Sequence, residues 1–375
     1  MAIVKYQGQI VNFENKIVSK KILIEFLKSV GSNTWGQLGM GTIVNYNGVI
    51  QSPSFTDIKN ISLGSKHVFI LFNDNTVKSF GDNSYGQLGM GTLDDYEGAI
   101  QTPSFTDVKS IVGGSNHTII LFNDNTVKSF GDNSYGQLGM GNKTDYNGAI
   151  QTPSFTNVKK ISAGGNVTFI VFNDDTVKSF GVNTYGELGM GNETDYLGVI
   201  QTPSFTNVKD VICQIFSTFI VFNDGTVKSF GANTFGQLGM GNKTDYNGAI
   251  QTPSFTNVKT VANGYNFGFV LLNDGTVKSF GDNSKGQLGM ENETNYLGAI
   301  QTPSFTNVED VLCGSNNYTI LLLNDGTLKT FGDNGFGQSL MGNKTDYNGA
   351  IQTPDITNVK FVRAASSTIF VLHTN

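Results

Sequence analysis

Hydrophobic positions along this chain fall in short bursts that return on a fixed schedule. From Ile150 four such runs can be cut, Ile150–Phe155, Val158–Ala163, Thr168–Phe172 and Thr176–Phe180. Each is β-branched or aromatic and bounded by Gly, Asn or Asp, a pattern that predicts strands. The third and fourth runs are separated by "NDDT", which elsewhere reads "NDGT" or "NDNT". Asn, Asp and Gly accept the positive φ of a tight hairpin turn, so a hairpin is expected there. No amphipathic helical pattern follows residue 30 or so.

The four-run unit is repeated. "SFGDNSYGQLGMG" stands at 79–91 and again at 129–141. The marker "GxNxxGQ", with one close variant, begins at Gly31, Gly81, Gly131, Gly181, Gly231, Gly281 and Gly332. A second marker, "IQTPSFT" and its variants, starts at Ile50, Ile100, Ile150, Ile200, Ile250, Ile300 and Ile351. Both give seven copies at a period of 50, with one extra residue in the sixth interval. A unit of this size cannot bury its apolar face alone and must stack on its neighbours. Four short strands, seven units and no helices predict an all-β fold, a seven-bladed β-propeller of four-stranded blades.

The ends support a closed ring. The last unit supplies "IQTPDIT", "VKFVRAA" and "IFVLHTN" and stops where a fourth strand is due, while "FLKSVGSN" (Phe26–Asn33) matches "TVKSFGDN". An N-terminal strand is therefore expected to complete the C-terminal blade, three strands from one end and one from the other. Residues 1–22 fall outside the period and are assigned to an N-terminal arm, extended or with a short hairpin in "IVKYQGQIVNF"; the propeller spans 23–375.

The repeated "SFGDNSYGQLGMG", the Pro-containing strand, "VKKISAGG" and "FNDGTVKSFG" together resemble the repeat of the regulator of chromosome condensation family. The resemblance covers nearly the whole chain from Phe26 and implies a seven-bladed propeller. It also raises guanine nucleotide exchange on a small GTPase, since the family's name-giver exchanges nucleotide on Ran. Two departures weigh against that activity. No unit carries more than one inserted residue, so no protruding wedge is visible, and no basic tail precedes the repeats. Within the marker, Gly81, Gly86, Gly89 and Gly91 allow a tight path, Leu88 and Met90 can tuck beneath it, and Asn83 and Gln87 can satisfy backbone groups beyond the ladders. The stretch reads as a structural clasp.

Composition narrows the chemistry. Apolar residues make up 38% and charged residues 14%, and the formal charge is −6 with no Lys/Arg block, so no nucleic-acid partner is expected. Cys213 and Cys313 lie two repeats apart and are expected as free buried thiols. Neither a signal-peptide pattern nor an apolar stretch of about 18 residues occurs, which predicts a cytoplasmic protein with no membrane contact. His67, His117 and His373 are too sparse for a zinc site, and no Gly-Lys-Ser/Thr loop occurs. No cofactor, metal or enzymatic activity is expected. The acids of Asp95-Tyr96, Asp145-Tyr146, Asp195-Tyr196, Asp245-Tyr246 and Asp346-Tyr347, with Asn45 and Asn295 in the other two copies, stand whole blades apart. They suit Asx-type turn caps better than paired-carboxylate chemistry.

Strand direction places the working surface. If the second run of a unit goes up, the third goes down and the fourth up, so the long loop shares an upper face with the hairpin between the second and third runs. That hairpin differs in every copy: "LGSKHVF", "GGSNHTI", "AGGNVTF", "CQIFSTF", "NGYNFGF", "CGSNNYT" and "AASSTIF". Lys66, His67, Asn116, His117, Asn166, Phe216, Tyr265, Asn266 and Asn317 are thereby expected to ring the channel mouth and bind a partner. The reading is a non-catalytic scaffold for a protein partner, with self-assembly as a further possibility. The clasp aromatics Trp35, Tyr85, Tyr135 and Tyr185 are expected to pack buried or half-buried; a carbohydrate-binding propeller is the alternative that uses them. Abundant Asn, Lys, Ile and Phe suit an AT-rich coding genome, and in a virus or phage such a propeller would be a structural component of the virion.

Overall fold

The computed structural model describes residues 4–6, 9–11, 24–94, 96–296 and 298–375, and among them every regular element is a strand. Seven antiparallel sheets form the blades. In blade 1, Ile58–Leu63 pairs with His67–Phe72, which pairs with Val77–Gly81. The first strands of blades 2 to 6 begin at Val108, Val158, Val208, Val258 and Val308. Each first strand touches those of both neighbouring blades, and Val359–Ala365 of blade 7 touches Ile58–Leu63 of blade 1. The ring is closed, with its first strands around a central channel.

The fourth strand of each blade is reduced to a single bridge. Gln101 donates its N–H to Ser79 O at 2.7 Å and accepts from Ser79 N at 3.1 Å, and six equivalent bridges follow. The next ladder bond would fall two residues on, at Pro103, which has no N–H to give. This bridge also shifts the expected blade boundary. Ile150–Phe155 does not open its own unit but lies outside the preceding blade, Gln151 on Ser129. For the same reason blade 7 takes two strands from the C-terminus, Val359–Ala365 and Thr368–Thr374, then Glu25–Gly31 and the Gln51 bridge from the N-terminus. The N-terminal strand completes the C-terminal blade, but "IQTPDIT" belongs to blade 6, through Gln352 and Thr330. Within the expected arm, Val4–Tyr6 pairs with Gln9–Val11 as a short hairpin; its other residues lie outside the described ones.

The apolar core is divided among the junctions between blades. Between blades 1 and 2, Phe69, Leu71, Val77 and Phe105 meet Val108, Ile111, Ile120 and Phe130. Phe105 stacks on Phe130 with centroids 5.5 Å apart and planes 10° from parallel. The same stack recurs at Phe55–Phe80, Phe155–Phe180, Phe205–Phe230, Phe255–Phe280 and Phe305–Phe331. Between blades 6 and 7 the cluster uses Val30 and Ile356 instead.

The clasp loop crosses each junction. Asn83 Oδ1 accepts from Leu88 N at 3.0 Å, and its Nδ2 donates to Thr92 O and Asp94 O at 3.2 and 2.8 Å. Gln87 Oε1 accepts from Tyr85 N, and Ser79 Oγ donates to Leu88 O. Leu88 is fully buried, and the loop packs against the next blade's loop at Gly86. A Cβ there would lie 2.3 Å from Gly148 Cα. Equivalent approaches join Gly36 to Gly98, Gly136 to Gly198, Gly186 to Gly248, Gly236 to Gly298, Gly286 to Gly349 and, across the closure, Gly337 to Gly48.

Two alanine substitutions separate the backbone cost from the contact cost. Gly91 has φ +77 and nothing within 4 Å of a built Cβ, so Gly91→Ala should cost about 1 kcal/mol from conformation alone. Gly86 has a similar φ of +80 but meets Gly148, so Gly86→Ala should cost about 2 kcal/mol more. Urea unfolding of the two variants measures the difference; equal losses would show that the interblade contact is not tight.

Candidate functional site on the upper face

The third strand of each blade ends beside the variable hairpin, as strand direction predicted. Asp82 N donates to Lys66 O at 3.0 Å, and Asp132, Val182, Ala232, Asp282 and Asp333 repeat the bond to Asn116, Asn166, Phe216, Asn266 and Asn317. Hairpins and long loops therefore share one face. The hairpins are tied to one another at the channel mouth, where Ser65 N donates to Gly114 O and Ser115 N to Gly165 O.

Seven of the nine residues expected on the rim reach the surface. Lys66 is exposed, and Asn116, Asn166, Phe216, Tyr265, Asn266 and Asn317 are half-buried. His67 and His117 are not on the rim. Both are buried, and their Nε2 atoms stand 2.9 Å from Thr118 Oγ1 and Thr168 Oγ1 of the next blade. Each threonine hydroxyl already donates its one hydrogen to a clasp carbonyl, Gln87 O or Gln137 O, so each histidine must donate from Nε2. Burial holds the pKa of His67 down to about 4, with Asp82 opposing. It holds His117 down to about 3, with His67 adding to the effect. These imidazoles are neutral wedges between blades.

The clasp aromatics also differ from expectation. Tyr85, Tyr135 and Tyr185 are 45%, 41% and 39% exposed and Trp35 37%, so their rings form part of the upper surface. Four clasp rings carry a lysine of the chain: Lys66 Nζ stands 4.9 Å from the Trp35 centroid, and Lys143, Lys243 and Lys344 stand about 6 Å from Tyr135, Phe235 and Phe336. Tyr185 is placed differently. Its ring meets Phe216 edge to face at 5.3 Å, and Phe216 meets Tyr265 at 4.9 Å. Three aromatics from three consecutive segments of the upper face thus form one continuous run.

Beneath the run lies Glu187, a residue that the sequence reading passed over. Six clasps have Gln at this position; Gln137, Gln287 and Gln338 donate to Asp132, Asp282 and Asp333. In the Glu187 clasp the aspartate position is Val182, and Glu187 is the one acid among seven residues at its position. Glu187 Oε2 accepts from Tyr185 N at 2.9 Å. Burial raises its pKa to about 7, the Tyr185 and Glu187 amides oppose the rise, and Glu193 adds to it.

The channel holds charge that was also missed. Lys160 Nζ lies 3.3 Å from Asp210 Oδ2. Arg363, the only arginine of the chain, donates from Nε to Asn60 Oδ1 at 3.1 Å. Burial raises the Asp310 pKa and Arg363 pulls it back. At the mouth, a cavity of about 120 Å³ is lined by residues of six hairpins, among them Gly64, Gly114, Gly165, Ile215 and Ser366. That volume suits water rather than a metabolite-sized ligand. Among the described residues no group of three His, Cys, Asp or Glu side chains could hold a metal ion, and no helix is long and apolar enough to cross a membrane.

The expected turn caps are present. Oδ1 of Asp145, Asp195, Asp245, Asp346 and Asn45 accepts the N–H two residues on, while Asp95 lies outside the described residues. Cys213 and Cys313 are free and buried, and burial raises both thiols, Cys213 to about 12.

Family models confirm what the repeat unit suggests. A model of the regulator of chromosome condensation (RCC1) repeat matches residues 58–87, 108–137, 258–287 and 308–338, and a second model of that repeat matches 74–121 and 124–171. These matches identify regulator of chromosome condensation repeats in the chain. Solved structures of the same architecture include Prp20p from Saccharomyces cerevisiae, 17% identical, with a TM-score of 0.80 over 94% of this chain and 92% of that one. Yeast RCC1 (Prp20) bound to Kap60 is 15% identical, with a TM-score of 0.80 over 100% and 96%. Human WBSCR16 is 18% identical, with a TM-score of 0.79 over 93% and 99%. At these identities the likeness establishes the shared seven-bladed fold. No curated protein sequence matches the chain.

The two kinds of buried group give opposite pH dependences. The Glu187 pKa rises from 4.5 to about 7 on folding, so the native state holds the proton more tightly and stability falls as pH rises through that window. His67 and His117 fall from 6.5, so their contribution is complete above that pH and is lost as pH drops toward 4. Glu187→Gln should raise stability on the order of 2–3 kcal/mol at pH 8 and much less at pH 4. Urea titrations across that range check it; a difference independent of pH would contradict the buried-carboxyl assignment.

Proposed function

We propose that this chain is a non-catalytic interaction module that grips a protein partner with its upper face, in the sector of blades 4 and 5. The observation that carries the proposal is the break in sevenfold likeness on that face. Where other hairpins present Ser65-Lys66, Ser115-Asn116, Gly165-Asn166, Asn316-Asn317 and Ser366-Ser367, blade 4 presents Ile215-Phe216 and blade 5 Tyr265-Asn266. Clasp and core residues repeat because the ring needs them, whereas the hairpin tips face outward and are free to differ. Aromatic side chains held on a rigid scaffold supply large contact area at low entropic cost, which is the usual makeup of a binding hot spot.

The relatives agree with this use of the fold. Prp20p has been described with its binding properties toward Gsp1p and histones, and yeast RCC1 has been solved with Kap60. Protein binding is the part of those descriptions that we carry over; the identity of the partner is not.

Affinity capture from the native lysate tests the proposal. The intact protein should retain a partner that Phe216→Ala and Tyr265→Ala lose and that Tyr85→Ala, on the other side of the ring, keeps. Equal retention by all variants, or retention of nothing but further copies of the chain, would overturn it.

A further inference from the structure

We infer that the Tyr185–Phe216–Tyr265 run receives a lysine or arginine side chain, so that the partner's contact segment is basic. This rests on the upper face being a protein-binding surface and adds the chemistry of what it binds. Four clasp rings are already served by a lysine of the chain, Lys66, Lys143, Lys243 or Lys344. At Tyr185 neither of the two positions that supply a lysine elsewhere holds one. Phe216 stands at the place of Lys66, and Glu193 at the place of Lys143, Lys243 and Lys344.

The two positions supply a ring and a carboxylate in place of a cation. Tyr185, Phe216 and Tyr265 lie in series at 5.3 and 4.9 Å. Glu193 is exposed and close enough to Glu187, under Tyr185, to influence its ionisation. Aromatic faces attract ammonium and guanidinium groups, and an adjacent carboxylate strengthens the attraction. An acidic partner would instead meet Glu193 as a like charge, and the chain as a whole carries −6. Tyr85 provides the internal contrast: it too lacks a lysine, with Leu93 and Asn116 at the two positions, but has neither a second ring nor a carboxylate there.

The test uses a fluorescein-labelled peptide of alternating Lys and Gly, with a Glu/Gly peptide of equal length as counter-probe, read by anisotropy. The intact protein should bind the first and not the second. Phe216→Ala and Glu193→Lys should each weaken binding about tenfold. Glu193→Lys installs the residue type that three other loops carry and so keeps the fold. Glu293→Lys makes the same charge change in the loop whose clasp residue is Lys285 and should leave binding unaltered. No binding of the lysine peptide, equal binding of both peptides, or loss that Glu293→Lys reproduces would overturn the inference. Captured partners distinguish the two readings: one lost by Phe216→Ala but kept by Glu193→Lys leaves the interaction surface standing and removes the basic segment, and one kept by both removes both.

Discussion

The ring depends on contacts that no blade can make by itself. Each sheet has one apolar surface turned to the blade before it and one to the blade after, and each junction is filled by side chains from both, centred in six cases on a stacked pair of phenylalanines. The clasp then crosses the same junction so closely that two glycines face each other without room for a Cβ. Core and backbone contact are both interblade, so an open row of blades would leave two apolar surfaces in water. Blade 7 resolves this by drawing strands from both ends of the chain, with Thr368–Thr374 paired along Glu25–Gly31.

This constraint explains which residues repeat and which do not. Clasp glycines, Asn83 and its equivalents, the Pro segment and the ND turn all touch a neighbour or close a turn. A change in them disturbs a junction or, as at Gly91, the backbone path that leads to it. The hairpin tips are held by backbone hydrogen bonds that do not depend on the side chain, such as Asp82 N to Lys66 O, and there the copies diverge. Divergence at fixed geometry is what turns a pseudo-sevenfold ring into a surface with one distinctive sector. Glu187 lies in the blade 3 clasp that carries Tyr185, against Phe216 of blade 4 and its neighbour Tyr265 of blade 5, which marks that border below the surface as well as on it.

Much of the fold was legible because it is periodic. Blade number, hairpin turns, clasp hydrogen bonds and the closing strand all follow from a spacing that seven copies repeat. The blade boundary was less legible: a β-rich run such as Ile150–Phe155 looks like a strand, but the proline within it allows one bridge, and that bridge goes to the preceding sheet. The candidate site was legible only in part. Hairpin variation pointed to Phe216 and Tyr265, yet the same list contained His67 and His117, because composition does not tell an exposed tip residue from the buried one beside it. Glu187 and Arg363 escaped notice although each is an exception to its repeat, a signal that period averaging hides.

The central claim is that one sector of an otherwise repetitive face is the working surface. Hydroxyl-radical footprinting, comparing the purified protein with the same protein in its native lysate, tests it most directly. The account predicts that Tyr185 and Tyr265 become protected in the lysate while Tyr85 and Tyr135 keep the reactivity their exposure gives them. Uniform protection around the ring, or no protection at Tyr185 and Tyr265, would contradict it.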